Sequence, residues 1–142
     1  MGRVEVILLD THVWIWWVQG DPALPASLQA SIELRRDDGI AISAISCWEV
    51  AKFVERNRLD LPRDIHEWME LALGPSTVTL LPLTEEIAIA STTLPAPFHR
   101  DPADEIIVAT SRVHDLPLAT CDQRIRSYPH VRLLEESQIH DR

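Results

Sequence analysis

Residues 4–10 read VEVILLD, an apolar run that ends on a carboxylate, Asp10. A run with so few polar positions is typical of a strand covered on both faces, as in a parallel sheet. An aspartate at the point where such a strand leaves the core is either a turn or cap residue or part of a functional site. A functional site predicts that other acids lie beside Asp10, whereas a turn or cap residue needs none.

Four further β-like runs follow, separated by helical patterns. We predict strands over residues 4–9, 40–43, 77–83, 117–120 and 131–134. Helices are predicted over residues 12–18, 24–36, 46–57, 63–73, 84–92, 102–114 and 123–127. Apolar strands that alternate with helices indicate a parallel sheet between two helical layers. The pattern therefore predicts an α/β three-layer sandwich with a five-stranded parallel sheet.

The totals of the chain exclude several classes of protein. The 142 residues suffice for one core, so we expect a single domain over residues 1–142. We find no membrane-spanning stretch and no signal peptide, and we expect a cytoplasmic location. Cys47 and Cys121 lack metal-binding spacing and are expected to be reduced thiols. The net charge of −9 disfavours broad electrostatic binding of nucleic acid, yet it suits a cluster of acids that holds cations.

Four acids are predicted to meet at the carboxyl edge of the sheet, where α/β sheets bind ligands. Asp10 ends strand one and Asp122 ends strand four. Glu49 belongs to the helix after strand two, and Asp104 to the helix that leads to strand four. Taken singly, each is explained as a cap or as a residue favourable to a helix dipole. Their convergence has no such explanation.

Capping motifs position the two helix-borne acids. Ser46 and Glu49 have the spacing of a capping box, which predicts Ser46 at the N-cap and Glu49 in the first turn. Asp101 followed by Pro102 predicts an N-cap and a first helical residue, which puts Asp104 at the third helical position.

Clustered carboxylates repel one another. Two of them about 6 Å apart, at an effective dielectric constant of about 20, cost roughly 3 kcal/mol, so a cluster needs protonation, basic partners or cations. Ligand sets made only of oxygen favour Mg²⁺ or Mn²⁺. Water activated by such an ion attacks phosphodiesters, and the cluster therefore predicts metal-dependent phosphodiester hydrolysis.

Taken in order, these segments resemble a known family. LLDTHVWIWW, ISAISCWEVA with NRLDLP, LPLT, HRDPADEIIVAT and LPLATCDQRI are similar to PIN-domain proteins, collinearly from about Val6 to Leu134. Among these they most resemble the VapC-type toxins of prokaryotic toxin–antitoxin pairs. The resemblance implies the strand order 3-2-1-4-5 and an endoribonuclease that cleaves RNA with Mg²⁺ or Mn²⁺. It also implies a cognate antitoxin protein and a homodimer.

The resemblance also assigns residues. The acids that correspond to the family's catalytic and metal-binding quartet are Asp10, Glu49, Asp104 and Asp122. Thr11 takes the place of a supporting hydroxyl, and Asp101 that of a frequent additional acid. The chain departs from many relatives at DPADE, where Ala103 and Glu105 stand in place of a large apolar residue and an arginine. This departure concerns how RNA phosphate is held beside the site.

Basic and aromatic side chains are the other candidates for RNA contacts. The basic candidates are Lys52, Arg56, Arg100, Arg112, Arg124 and Arg126. Arg100, beside the third acid, and Arg124, just after the fourth, are the predicted RNA-binding residues. Trp14, Trp16 and Trp17 are predicted to pack in the core or at a subunit interface rather than to stack on bases.

Two alternative functions stay open. Receiver-type phosphoacceptor domains also place acids at the carboxyl edge of a five-stranded parallel sheet. They normally pair acids at the end of strand one and carry a late lysine, whereas Asp10 stands alone and no lysine follows Lys52. The second alternative is a binding module without catalytic activity.

Overall fold

The computed structural model describes residues 5–136. Their centre is a parallel sheet in the order β3-β2-β1-β4. Its strands are β1 (Ile7–Leu9), β2 (Ile40–Ser43), β3 (Val78–Leu81) and β4 (Leu118–Ala119). The predicted α/β class and parallel sheet are confirmed.

The helices of the described residues lie between and after these strands. They are α1 (Thr11–Gln19), α2 (Ala26–Arg35), α3 (Ala44–Glu55), α4 (Ile65–Leu73), α5 (Glu85–Ser91), α6 (Pro102–His114) and α7 (Gln123–Arg126), with a 3-10 turn over Arg36–Asp38. Most boundaries differ from the predicted ones by one or two residues, and α6 has the predicted bounds. Within residues 5–136, no helix combines the length and the apolar character needed to cross a membrane.

Helices cover both faces of the sheet because the side chains of β1 alternate between them. Ile7 and Leu9 belong to one buried cluster, which contains Trp14 of α1 together with side chains of α2 and α4. Leu8 belongs to a second cluster, which contains Ile107 of α6 and Ile125 of α7. The sheet is thus the middle layer of three, as predicted.

The prediction of a fifth strand over residues 131–134 is wrong. This segment forms only an isolated parallel bridge between Leu133 and Leu118. The physical reason lies in its neighbour, β4, which is two residues long. Pro117 has no N–H to donate, and Thr120 already leaves the sheet, so Leu118 alone offers its N–H and carbonyl to the last segment.

The predicted capping box at Ser46 is also wrong. α3 begins directly after β2, and its N-cap is Ser43, whose hydroxyl accepts a hydrogen bond from the N–H of Ile45 at 3.1 Å. The buried hydroxyl of Ser46 instead contacts the hydroxyl of Thr11 at 2.7 Å. Glu49 therefore lies in the second turn of α3, not in the first.

Candidate active site

The carboxyl edge of the sheet opens into a cleft of about 510 Å³. The residues that line it include Asp10, Glu49, Asp101, Asp104 and Asp122. The structure thus brings all four acids of the predicted quartet to one place, with Asp101 beside them. Parallel strands explain the gathering, because each of the chain segments that carry these acids enters or leaves the sheet at the same edge.

Asp10 lies at the buried end of the cleft, with 8% of its surface exposed. As the N-cap of α1 it accepts a hydrogen bond from the N–H of Thr11 at 2.8 Å, and its other oxygen accepts one from the hydroxyl of Thr120 at 2.6 Å. Burial raises the pKa of Asp10 above its usual value, although both hydrogen bonds oppose this increase. Both carboxylate oxygens are therefore held in defined positions.

Glu49 reaches the cleft from α3. The hydroxyl of Thr11 donates a hydrogen bond to its carboxylate at 2.5 Å. Burial is the main cause that raises the pKa of Glu49 to about 7, and the negative charges of Asp10 and Asp104 add to it. In the absence of a cation, this side chain is therefore only partly ionised near neutral pH.

Asp104 is held at the start of α6 by two neighbours. Its backbone N–H donates to the carboxylate of Asp101, the N-cap, at 3.1 Å, as the sequence predicts. Its own carboxylate oxygen lies 2.7 Å from Nε2 of His99. Burial raises the pKa of Asp104, and the contact with His99 lowers it in part.

His99 is a candidate functional residue that the sequence reasoning missed. Its ring nitrogen and one carboxylate oxygen each of Asp104 and Asp122 lie within 4.8 Å of one another, close enough to share a metal ion. Asp10 and Glu49 line the same cleft but lie outside this set of three. The sequence feature that could have identified it is the segment HRDPAD, in which His99 lies five residues before Asp104, in the loop that leads into α6.

The two predicted RNA-binding arginines have different surroundings. Arg124 lines the cleft, and its Nη2 atom lies 3.5 Å from Asp122 and 3.7 Å from Asp104. Its side chain is 60% exposed, so it neutralises this acidic cluster only in part. Arg100 is not among the residues that line the cleft, and it pairs with Glu105 at 3.1 Å.

Aromatic rings form one wall of the cleft. The ring of His12 lies 5.2 Å from that of Phe53 and 5.8 Å from that of Trp16, and all three line the cavity. Trp14 is fully buried against Trp68, as predicted for a core residue. Trp16 packs against the same core, yet it also borders the cleft.

The donor set fits a divalent cation. Among the residues 5–136 that line the cleft, five carry a carboxylate and one, Arg124, carries a permanent positive charge. Burial holds the pKa values of Asp10, Glu49 and Asp104 above their usual range, because it makes ionisation of these groups costly in free energy. A bound cation would offset this cost. Carboxylate oxygens are the preferred ligands of Mg²⁺ and Mn²⁺.

Comparison with known proteins agrees with this geometry. Residues 7–131 match the PIN domain family. Over 130 residues the chain is 37% identical to ribonuclease VapC22 of Mycobacterium tuberculosis (strain ATCC 25618 / H37Rv). The aligned region covers 91% of this chain and 96% of that protein.

Solved structures share the fold. VapBC2 from Rickettsia felis, bound to a promoter DNA fragment, superposes with a TM-score of 0.67 at 16% identity, over 93% of this chain and 99% of that one. A toxin–antitoxin complex from Klebsiella pneumoniae gives a TM-score of 0.64 at 24% identity, over 92% of this chain and 99% of that one. Sheet, acidic cleft and sequence similarity therefore agree that the chain belongs to the PIN-domain family.

Proposed function

We propose that this protein is a VapC-type endoribonuclease, the toxin of a type II toxin–antitoxin system, which hydrolyses RNA phosphodiester bonds with Mg²⁺ or Mn²⁺ as its cofactor. The observation that carries the proposal is the meeting of four acids from separate parts of the chain in one cleft. The relative that is 37% identical bears the name ribonuclease, which supports the choice of RNA as substrate.

The chain's own residues prepare the site for a cation and a phosphodiester. The proposed ligands are Asp10, Glu49, Asp104 and Asp122, which bind directly or through water. When bound, a divalent cation supplies Lewis-acid activation of water and neutralises charge at the phosphate. Thr120, Thr11 and His99 orient three of the carboxylates through the hydrogen bonds described above. Asp101 supports the site as the cap of α6.

Arg124 is the proposed phosphate contact at the mouth of the cleft. It lies between Asp104 and Asp122, and a cation bound to these acids would compete with it for them. Its guanidinium group would then be available to an RNA phosphate, which it suits through its planar set of donors. Arg100 stays a prediction, since it pairs with Glu105 away from the cleft lining.

We also propose a cognate antitoxin protein and a homodimer as partners. Large apolar side chains exposed in the described residues provide surface for such contacts: Leu34, Leu71, Leu80, Leu83 and Ile89. The fold is shared with chains of toxin–antitoxin complexes, which supports an antitoxin of the same kind. A single domain over residues 1–142 and a cytoplasmic location stay predictions.

The test compares the purified protein with Asp10→Asn on a structured RNA, with Mg²⁺ or Mn²⁺ and with excess chelator. Asp37→Asn, which removes an exposed carboxylate, is the matched control. Wild type and the control should cleave the RNA only when metal is present. The cleavage rate of Asp10→Asn should be roughly 100-fold or more below that of wild type. Equal cleavage by wild type and Asp10→Asn would defeat the proposal.

Two further measurements separate the alternatives. A receiver-type domain would form a stable aspartyl adduct with a small phosphodonor, detectable by intact mass, and we expect none. A binding module without a working site would show no rise in melting temperature at millimolar metal, whereas an ion bound only by the native state must raise it.

A further inference from the structure

A second, smaller groove continues from the acidic cleft along α3. It encloses about 210 Å³ and shares Glu49, Phe53 and Asp101 with the cleft. Its other lining residues are Trp48, Lys52, Arg56, Arg58, Pro102 and Ala103. We refer to this cavity as the α3 groove. The shared lining residues make the α3 groove the neighbour of the acidic cleft.

Three basic side chains line the α3 groove together with two acidic ones, in a protein whose net charge is −9. Lys52 pairs with Glu55 at 2.8 Å, but neither Arg56 nor Arg58 forms an ion pair with any residue in the described range 5–136. Both arginines are exposed. Two exposed guanidinium groups that form no ion pair within the described residues are suited to a ligand that carries negative charge of its own.

The end of α3 holds these arginines in place. The N–H of Arg58 donates to the carbonyl of Phe53 at 2.8 Å, and that of Asn57 donates to Val54 at 3.1 Å. Asn57 has a φ of 58°, the left-handed conformation that closes such a helix end. The backbone of both arginines is therefore fixed relative to the groove.

Trp48 supplies a flat apolar surface at the same groove. Of the Trp, Tyr and Phe side chains in the described part of the chain, it alone is exposed, at 55%. Nζ of Lys52 lies 5.9 Å from the centre of its ring. Exposed aromatic rings interleaved with basic residues are typical of sites that bind single-stranded nucleic acid, because bases stack on the rings while cations contact the phosphates.

We propose that the α3 groove binds the single-stranded RNA segment next to the scissile phosphate. Trp48 stacks on a nucleobase, and Arg56 and Arg58 contact the phosphates that flank it. This inference rests on the proposed function and specifies its substrate as RNA that is unpaired beside the cleavage point. A protein partner would also cover the exposed ring; we favour RNA because Arg56 and Arg58 form no ion pair within residues 5–136 and the groove adjoins the proposed cleavage site, where RNA phosphates supply the negative charge.

The test measures binding of a fluorescein-labelled 12-nucleotide single-stranded RNA by fluorescence anisotropy. Ca²⁺ replaces the catalytic ion, and a gel verifies that the RNA stays intact. Trp48→Ala should raise Kd by roughly 5- to 100-fold, whereas Trp48→Phe, which keeps a stacking ring, should retain most of the affinity. In Mg²⁺, the alanine variant should raise KM by a similar factor and leave kcat unchanged.

The arginines are tested through the salt dependence of binding. Arg56→Ala/Arg58→Ala should lower the magnitude of the slope of log K against log salt by roughly 1.4, which corresponds to two lost phosphate contacts on a single strand. Arg36→Ala/Arg63→Ala removes the same charge from exposed positions outside the groove and should leave the slope unchanged. Melting curves of all variants establish that they are folded.

The outcomes separate this inference from the proposed function. If wild type cleaves RNA while the groove variants bind and cleave like the control pair, the α3 groove is not the RNA site. If Trp48→Ala converts a dimer into a monomer and the arginine pair leaves the salt slope unchanged, the face is an interface between copies. Wild type that binds through the groove without cleaving contradicts only the proposed activity, and wild type that does neither overturns both.

Discussion

Replacement of Glu49 by glutamine should stabilise the metal-free protein above neutral pH. In the folded state the pKa of Glu49 is about 7, against 4.5 for the free side chain. Below pH 4.5 the group is protonated in both states and costs nothing. Between pH 4.5 and 7 the unfolded chain releases this proton while the folded protein retains it, so stability falls over this interval and the loss is complete above pH 7.

The size of the effect follows from the two pKa values. Their difference corresponds to roughly 3 kcal/mol, and about 2 kcal/mol remains after allowance for the partial exposure of the side chain. Glutamine keeps the size of the residue and an oxygen that can accept the hydrogen bond from Thr11. For a chain of this length, about 2 kcal/mol corresponds to a rise in melting temperature of about 6 to 8 °C.

The assay is thermal unfolding in chelator at pH 5 and at pH 8.5. Glu55→Gln is the control, because Glu55 lies on the same helix, is exposed and pairs with Lys52. The gain in melting temperature of Glu49→Gln over wild type should be large at pH 8.5 and much smaller at pH 5, near the pKa of the unfolded state, whereas Glu55→Gln should gain nothing. Addition of Mn²⁺ should raise the melting temperature of wild type more than that of Glu49→Gln, since the lost carboxylate is a proposed ligand.

The reasoning fails if Glu49→Gln melts at or below wild type at pH 8.5 without metal while the control behaves as expected. Repulsion and burial would then not penalise the carboxylate, and the electrostatic argument for a cation would lose its basis. A gain of the same size at both pH values would also contradict it, because the penalty must vanish when Glu49 is protonated in both states.

Three further predictions concern the supports of the site and the core. Thr120→Val removes the hydroxyl that donates to Asp10, so it should lower the free energy of unfolding in urea by about 1–3 kcal/mol. The loss of this hydrogen bond also raises the pKa of Asp10 further, so the pH–rate profile of RNA cleavage should shift to higher pH. Asp101→Ala should be about 1 kcal/mol less stable in urea than Asp101→Asn, which removes the same charge but keeps a cap, and equal midpoints would show that the cap contributes nothing. Trp14→Ala should lower the free energy of unfolding by about 3–5 kcal/mol in urea, since Trp14 is fully buried against Trp68, and a loss below about 1 kcal/mol would contradict its place in the core.

The helices and strands that the sequence predicted correctly are those whose positions depend on residues close to one another in the chain. Hydrophobic runs and periodic patterns mark β1, β2 and most helices, because a strand or helix covered by neighbours must be apolar where it is covered. α6 has the predicted bounds since Asp101 and Pro102 specify its start by their own chemistry. The gathering of acids was also predictable, because parallel strands send all their carboxyl ends to one edge.

Where the prediction failed, a distant partner decided the outcome. The fifth strand is reduced to a bridge because its neighbour β4 is too short to pair with, and the hydroxyl of Ser46 contacts Thr11, 35 positions away, instead of capping α3. The contact of His99 with Asp104 depends on the path of a loop that no periodicity describes.

The sequence by itself thus determined the fold class and the meeting of four acids at one edge of the sheet. Tertiary structure alone decided how many strands pair, which neighbours orient each carboxylate, how far burial raises the pKa values, and that a groove lined by three basic side chains adjoins the cleft. The physical reason is that secondary structure depends mainly on side chains within a few positions along the chain. Burial, repulsion and hydrogen bonding at a site depend on which distant segments folding brings together.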